Sequence, residues 1–362
     1  MPDSYAKELS KKHIQKLRGL ISDLPPYVAQ FMRGIEQTTQ PRTRIGYAYD
    51  IKYFFEYLIQ NVDHFSGKTT KEITCSDLDT LAVFDFENWL DYLSYYTRDG
   101  REYTNDLMSK KRKLCALRTF FTYLYKNELI KDNVIIKVSM PKIHEKNIIR
   151  MESNEVADFL DNVEYGTKMT DRQAKFHEKE KTRDLALLSL MLSTGIRVSE
   201  CVGLNLNDLD LDNTMIRVTR KGGKEDTVYF SDEAASLVAD YLEQRKKIVP
   251  ADGHEQALFL SGQRKRLSVR SIEYIVKKYA RVTTPLKHIT PHKLRSTYGT
   301  ALYQETGDIY LVANVLGHKD VNTTRKHYAE MDENSKRLNR NKVSLRKENE
   351  PNNSGGENDK KH

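Results

Sequence analysis

Apolar residues recur every three or four positions through TRIGYAYDIKYFFEYLIQ, at Tyr47, Ile51, Phe54, Phe55 and Leu58, a spacing that only a helix turns into one continuous face. Thr43 stands where an N-cap is expected. The same period returns in LMSKKRKLCALRTFFTYLYKN, at Leu107, Leu114, Leu117, Phe121 and Leu124. Helices with one apolar face must bury it against one another, so the first half is predicted to be a helical domain. Around the second stripe, Lys110, Lys111, Arg112, Lys113 and Arg118 load the remaining surface, and no acid interrupts them. Surface helices ordinarily mix signs, so Lys110, Lys113 and Arg118 are read as candidate contacts to a nucleic-acid backbone, with a plain solvated face as the alternative. The net charge of +8 agrees with a polyanionic partner without identifying one.

The helical period stops in DNVIIKVSMPKIHEKNIIRMESNE, which reads as a linker, and a different pattern follows. DLALLSLMLSTG is an apolar helix ended by Gly195, and MIRVTRKGGKEDTVYF is two alternating runs about Gly222 and Gly223, a signal for a hairpin with a two-residue turn. A further helix is expected from Thr290-Pro291 to Gly307, a short one closing at Gly317, and another capped by Asn322 that carries Tyr328. At 362 residues the chain can bury two cores. The predicted division is a helical DNA-binding domain over 1–137, a linker over 138–150, a catalytic domain over 151–343 and a disordered charged tail over 344–362. The fold class is mainly α with a small β-hairpin or sheet in the second domain. No apolar run approaches the roughly eighteen residues of a membrane span, and the N-terminus does not read as a secretory signal, so a cytoplasmic protein with no membrane partner is expected. Cys75, Cys115 and Cys201 lack the spacing of a disulfide framework or a zinc site.

Breaking a phosphodiester without a metal would need fixed cations around the phosphorane, and arginine suits this because it stays ionised and forks onto phosphate. Arg197 follows the stop glycine in STGIRVSE, with Glu200 one turn on to hold it. His292 and Arg295 in TPHKLRST share a face near a helix start. Lys221 and Lys224 flank the hairpin glycines in RKGGKED and could donate a proton. His318 and Tyr328 close the series in LGHKDVNTTRKHY. Each element alone also fits an ordinary surface contact. A metal reading is weaker, because a helix-starting proline separates His288 from His292 and no carboxylate or cysteine sits at ligand spacing.

Taken in order, TGIRVSE, the lysine hairpin, PHKLR, LGH and the late tyrosine resemble the tyrosine recombinase (phage integrase) family. VTRKGGK, SIEYIVKKY, TPHKLRSTYGTALY and LPPYV are similar to the single-protein Xer recombinases of the XerS type. The resemblance implies a SAM-like core-binding domain and an α/β catalytic domain closing as a clamp on duplex DNA. It implies that Arg197 and Arg295 clamp the scissile phosphate, that Lys221 protonates the 5′ oxygen, that His292 assists proton transfer, that His318 contacts phosphate and that Tyr328 attacks. No cofactor is implied; the implied partners are a double-stranded recombination site, three further copies in a homotetramer and an FtsK-type DNA translocase, with the protein at the nucleoid. Lys224 joins the candidate DNA contacts. The interval from His318 to Tyr328 is one residue longer than the usual Xer pattern and occurs in integrases of mobile elements. Chromosome dimer resolution and mobile-element integration therefore both stay open, beside a type IB topoisomerase-like nicking enzyme and a non-catalytic DNA-binding regulator.

Overall fold

The computed structural model describes residues 5–143, 149–166, 171–220, 222–318 and 320–321. They divide into two compact units, residues 1–146 and 147–362. Lys221, Tyr328 and the expected tail over 344–362 lie outside the described residues.

The first unit runs α1 (Tyr5–Ile21), α2 (Pro26–Gly34), α3 (Pro41–Asn61), α4 (Cys75–Leu78), α5 (Val83–Tyr92), β1 (Tyr96–Arg98), β2 (Arg101–Tyr103) and α6 (Leu107–Lys126). Both apolar stripes are buried where expected: Ile51, Phe54, Phe55 and Leu58 of α3 face Leu114, Leu117, Phe121 and Leu124 of α6 in one core. Phe54 is its centre, with ring centroids 5.3 Å from Phe86, 5.2 Å from Trp89 and 6.2 Å from Phe121. Three details differ from the sequence expectation. Helix α3 begins at Pro41 with Gln40 flanking it, so Thr43 lies inside the first turn; the fixed φ of proline starts the helix and no hydroxyl cap is used. Leu107 is half exposed at the first turn of α6, outside the core. The unit also holds an antiparallel hairpin, β1 with β2, whose tip Asp99-Gly100 has φ of +51° and +69°, the left-handed pair that an Asp-Gly turn supplies. Ile135 and Val138 pack into this core, so the chain leaves it only after the first residues of the expected linker.

The second unit runs α7 (Ser153–Tyr165), α8 (Asp171–Thr194), α9 (Val198–Gly203), β3 (Leu209–Asp210), β4 (Met215–Thr219), β5 (Glu225–Tyr229), α10 (Asp232–Lys246), α11 (Val269–Thr283), α12 (Pro291–Thr306) and α13 (Ile309–Val315). Helix α8 packs against α7, α10 and α12, which is why its second half is apolar all round: Leu185 to Leu188, Leu190 and Met191 are all buried. Inside that core Asp184 accepts from Arg183 at 2.6 Å and from the Tyr279 hydroxyl at 2.9 Å, fastening α11 to α8. The sheet is antiparallel in the order β3-β4-β5, with Met215 opposite Tyr229 and Thr219 opposite Glu225. Period-two alternation sends Ile216, Val218 and Val228 inward and Arg217, Thr227 and Tyr229 outward. The hairpin is longer than the two-residue turn expected: Arg220 and Lys224 still pair, N–H to carbonyl at 2.7 Å, and Gly222 and Gly223 lie beyond them with φ of +96° and +83°. Helix α12 starts at Pro291 after Thr290 and stops at Gly307, φ +65°, as its sequence requires. No helix of the described residues is long and apolar enough to cross a membrane.

Candidate active site

Three arginines converge on the C-terminal end of α13. Its last carbonyls have no intrahelical donors, and cations are favoured there. Gly317 adopts φ +61° and closes a Schellman turn, its N–H donating to the Asn314 carbonyl at 2.8 Å and that of His318 to the Ala313 carbonyl at 2.9 Å. The carbonyls left over point outward in succession. Arg220 donates to Val315 at 3.0 Å, Arg295 to Leu316, and Arg197 to Gly317 at 3.3 Å. The LGH sequence is thus a backbone template on which the guanidinium groups are set out.

Each arginine also has a second anchor. Arg197 flanks the start of α9 and donates to Glu200 Oε1 at 2.8 Å, while its own N–H is capped by Oε2 at 2.9 Å, which confirms the one-turn pairing expected from STGIRVSE. Arg295, 4% exposed, donates to the Gly195 carbonyl at 2.7 Å. Gly195 has φ +61°, and a Cβ there would come within 2.5 Å of the Tyr298 ring, so glycine is required by both conformation and space. Arg220, 8% exposed, donates to Glu200 Oε2 at 2.9 Å and to Asp226 Oδ2 at 3.0 Å. Glu200 therefore bridges two guanidiniums, one per oxygen. Arg197, Arg220 and Arg295 against Glu200 and Asp226 leave an excess of positive charge, concentrated at the half-exposed Arg197. Cys201 is no rival nucleophile: burial first, then the Glu200 carboxylate beside it, push its thiol up to about 12. Burial likewise raises the Tyr298 hydroxyl, which suits a packing role.

Arg197, Arg295 and His318, expected to act together, are held by one turn. His318 is half-buried immediately after Gly317, and His292 is exposed one turn before Arg295 on α12. Lys224 is exposed on the hairpin. Lys221 and Tyr328 fall outside the described residues. Arg220 was missed by sequence reasoning, although a signal existed: positions 216, 218 and 220 share the inward phase of β4, and a cation there needs a buried carboxylate.

The cations expected on the surface of α6 differ in exposure: Lys113 is buried, while Lys110 and Arg118 are partly exposed. Lys113 is 5% exposed and donates to the buried Asp50 of α3 at 3.1 Å, which also takes Arg112 through both oxygens at 2.5 and 2.8 Å. An isolated carboxylate in that core would be prohibitively desolvated, so the neighbouring cations are drawn in to neutralise it. Arg118 donates to the Ile136 and Val138 carbonyls, tying α6 to the end of the unit, and Lys110 donates to Ser94 at 2.5 Å. Lys113 is thus an internal ion-pair partner, while Lys110 and Arg118 make hydrogen bonds within the unit from partly exposed positions.

Residues 150–335 match the phage integrase family and residues 23–139 the phage integrase SAM-like domain. The chain is 33% identical over 339 residues to tyrosine recombinase XerS of Streptococcus agalactiae, covering 86% of this chain and 93% of that one. It is 32% identical over 294 residues to tyrosine recombinase XerC of Leptospira interrogans, covering 80% and 84%. Among solved structures it resembles the XerH site-specific recombinase bound to palindromic difH substrate in a post-cleavage complex, with TM-score 0.60, 20% identity and coverage of 86% and 83%. It also resembles the Tn1549 transposon integrase in complex with circular intermediate DNA, with TM-score 0.61, 18% identity and coverage of 83% and 94%. At these identities the structural matches establish the fold.

Proposed function

The chain belongs to the phage integrase family of tyrosine recombinases, and from that premise we propose that it cuts and rejoins duplex DNA at a specific site through a 3′-phosphotyrosine on Tyr328. The observation that carries the reading is the placement of Arg197 and Arg295 on adjacent carbonyls of one turn. Arg197 commits NH1 to Glu200 and NH2 to Gly317, so only two of its five N–H donors are used among the described residues, and the remaining ones suit phosphate oxygens. The Tyr328 oxygen forms a bond to phosphorus as the bond from phosphorus to the 5′ oxygen breaks. The tyrosine proton leaves with help from His292, and the 5′ oxygen takes a proton from Lys221. Arg197, Arg295 and His318 stabilise the charge that builds on the non-bridging oxygens. The phosphotyrosine conserves the bond energy, so the reverse step reseals a strand without nucleotide, and the fixed guanidiniums take the place a metal ion would fill.

The first unit is assigned a duplex-gripping role, in a homotetramer on the site. Chromosome dimer resolution is the biological role we favour, because the XerS and XerC relatives are matched over 84–93% of their own lengths. An FtsK-type translocase belongs to that reading. Integration of a mobile element is the second reading, favoured by the longer interval between His318 and Tyr328.

The test is to select a bound site from randomised duplex DNA and incubate it, nicked near the cleavage point, with the protein in EDTA. A covalent protein–DNA adduct is expected without metal or nucleotide. Strand cleavage that appears only on adding a divalent ion, with no adduct, would contradict the mechanism.

A further inference from the structure

We propose that Arg220 is a positioning residue that locks the lysine-bearing hairpin to the phosphate-clamping Arg197, so that acid and clamp address one phosphate in register. The inference rests on the roles just given to Arg197 and Lys221.

Arg220 lies one residue past β4 and continues its inward-facing row, and its three guanidinium nitrogens reach three different segments. Nε holds Asp226 across the hairpin at 3.0 Å, NH1 holds Glu200 of α9 at 2.9 Å, and NH2 holds the Val315 carbonyl at the end of α13 at 3.0 Å. Two separate routes then lead to Arg197. One passes through the single Glu200 carboxylate, whose other oxygen takes Arg197 at 2.8 Å. The other passes along the turn from Val315 to Gly317, whose carbonyl takes Arg197 at 3.3 Å. The turn is fitted to the guanidinium, since a Cβ on Gly317 would stand 2.9 Å from Arg220 Nε.

Each of the three guanidinium nitrogens of Arg220 donates to a protein acceptor on a different segment, so its part in the reaction is argued through the groups it holds. Lys221 is the next residue in sequence, and Gly222 and Gly223 follow it with left-handed φ. Glycines make a tip permissive, so the fixed point of this hairpin is the planar, three-way anchor at its base. Lysine cannot replace it, because a single ammonium lacks the fork that spans the three acceptors.

The experiment compares adduct formation on an ordinary site with that on one carrying sulfur in place of the bridging 5′ oxygen. In the ordinary reaction the departing oxygen must take a proton; the sulfur leaves as a thiolate and needs none. On the ordinary site, Arg220→Lys is expected to form adduct about a hundredfold more slowly, the cost of misplacing a catalytic group by about 1 Å. DNA affinity should stay near that of the unaltered protein. On the sulfur site most of the rate should return. Asp226→Asn releases only the hairpin end and leaves Glu200 paired, so it guards against a folding defect in the first variant; a loss of about tenfold, again recovered on sulfur, is expected. Lys221→Ala should be recovered and Arg197→Lys should not. If Arg220→Lys and Asp226→Asn are equally slow on both substrates while Lys221→Ala is recovered, the positioning role is wrong. Failure of Lys221→Ala to recover would instead remove the acid assignment on which the inference stands.

Discussion

Two regions, one in each unit, are built from different materials. Around Phe54 the first unit is aromatic, with Phe86, Trp89, Phe120 and Phe121 in edge and stacked contact, and a buried charge such as Asp50 is neutralised by adjacent cations. Around Gly317 the second unit is a lattice of guanidinium, carboxylate and carbonyl groups. Aromatic packing is non-directional and responds to volume; the lattice is directional and responds to the number and angle of donors. The first should therefore tolerate a change of shape that keeps volume, whereas the second should fail on a change that keeps charge.

Phe54→Ala should produce the largest effect, costing the first unit about 3–5 kcal/mol through lost burial and the cavity left behind. Denaturant unfolding measures it. An adduct rate reduced at saturating protein, with stability unchanged, would break the comparison. Arg197→Lys comes next and reverses the pattern. Its charge is kept and its fork is lost, so adduct formation should fall about a hundred- to a thousandfold while melting and site affinity change little. A drop in affinity with an unchanged rate of cleavage in the bound state would place Arg197 in binding rather than chemistry.

The smallest effect concerns Asp77. Burial alone would raise its carboxyl, but Lys68 at 2.6 Å, the Thr74 backbone and hydroxyl, and His64 at 3.0 Å outweigh it and hold the group well below the usual carboxylate range. A depressed folded-state pKa gives stability that is complete above the unfolded value of about 3.9 and is lost as pH falls through the folded value. Asp77→Asn should cost about 1–2 kcal/mol at neutral pH. Its melting temperature should converge with that of the unaltered protein in strong acid; a gap independent of pH would show that the carboxylate charge contributes nothing.

What the sequence revealed divides along the same line. Local patterns were readable: the stripes of α3 and α6, the Thr-Pro start and glycine stop of α12, and Arg197 one turn from Glu200. The Asp99-Gly100 hairpin is also locally encoded, but its strands are only three residues each and lie between two strong helices. The rest depended on distant pairings. Lys113 looks like a surface cation until Asp50, 63 residues earlier, is brought under it. Arg197 meets Gly317 across 120 residues, and Arg220 meets Val315 across 95, so no local window contains the three-carbonyl arrangement. Tyr328 was singled out through its place in the order of motifs, and its assignment rests on resemblance.

That assignment is tested most directly by Tyr328→Phe, measured for both site binding and covalent adduct on the same selected DNA. Removing one hydroxyl should leave affinity within about twofold and abolish the adduct entirely, with Tyr303→Phe behaving as the unaltered protein. An adduct formed by Tyr328→Phe, mapped to any other residue, would contradict the account at its centre.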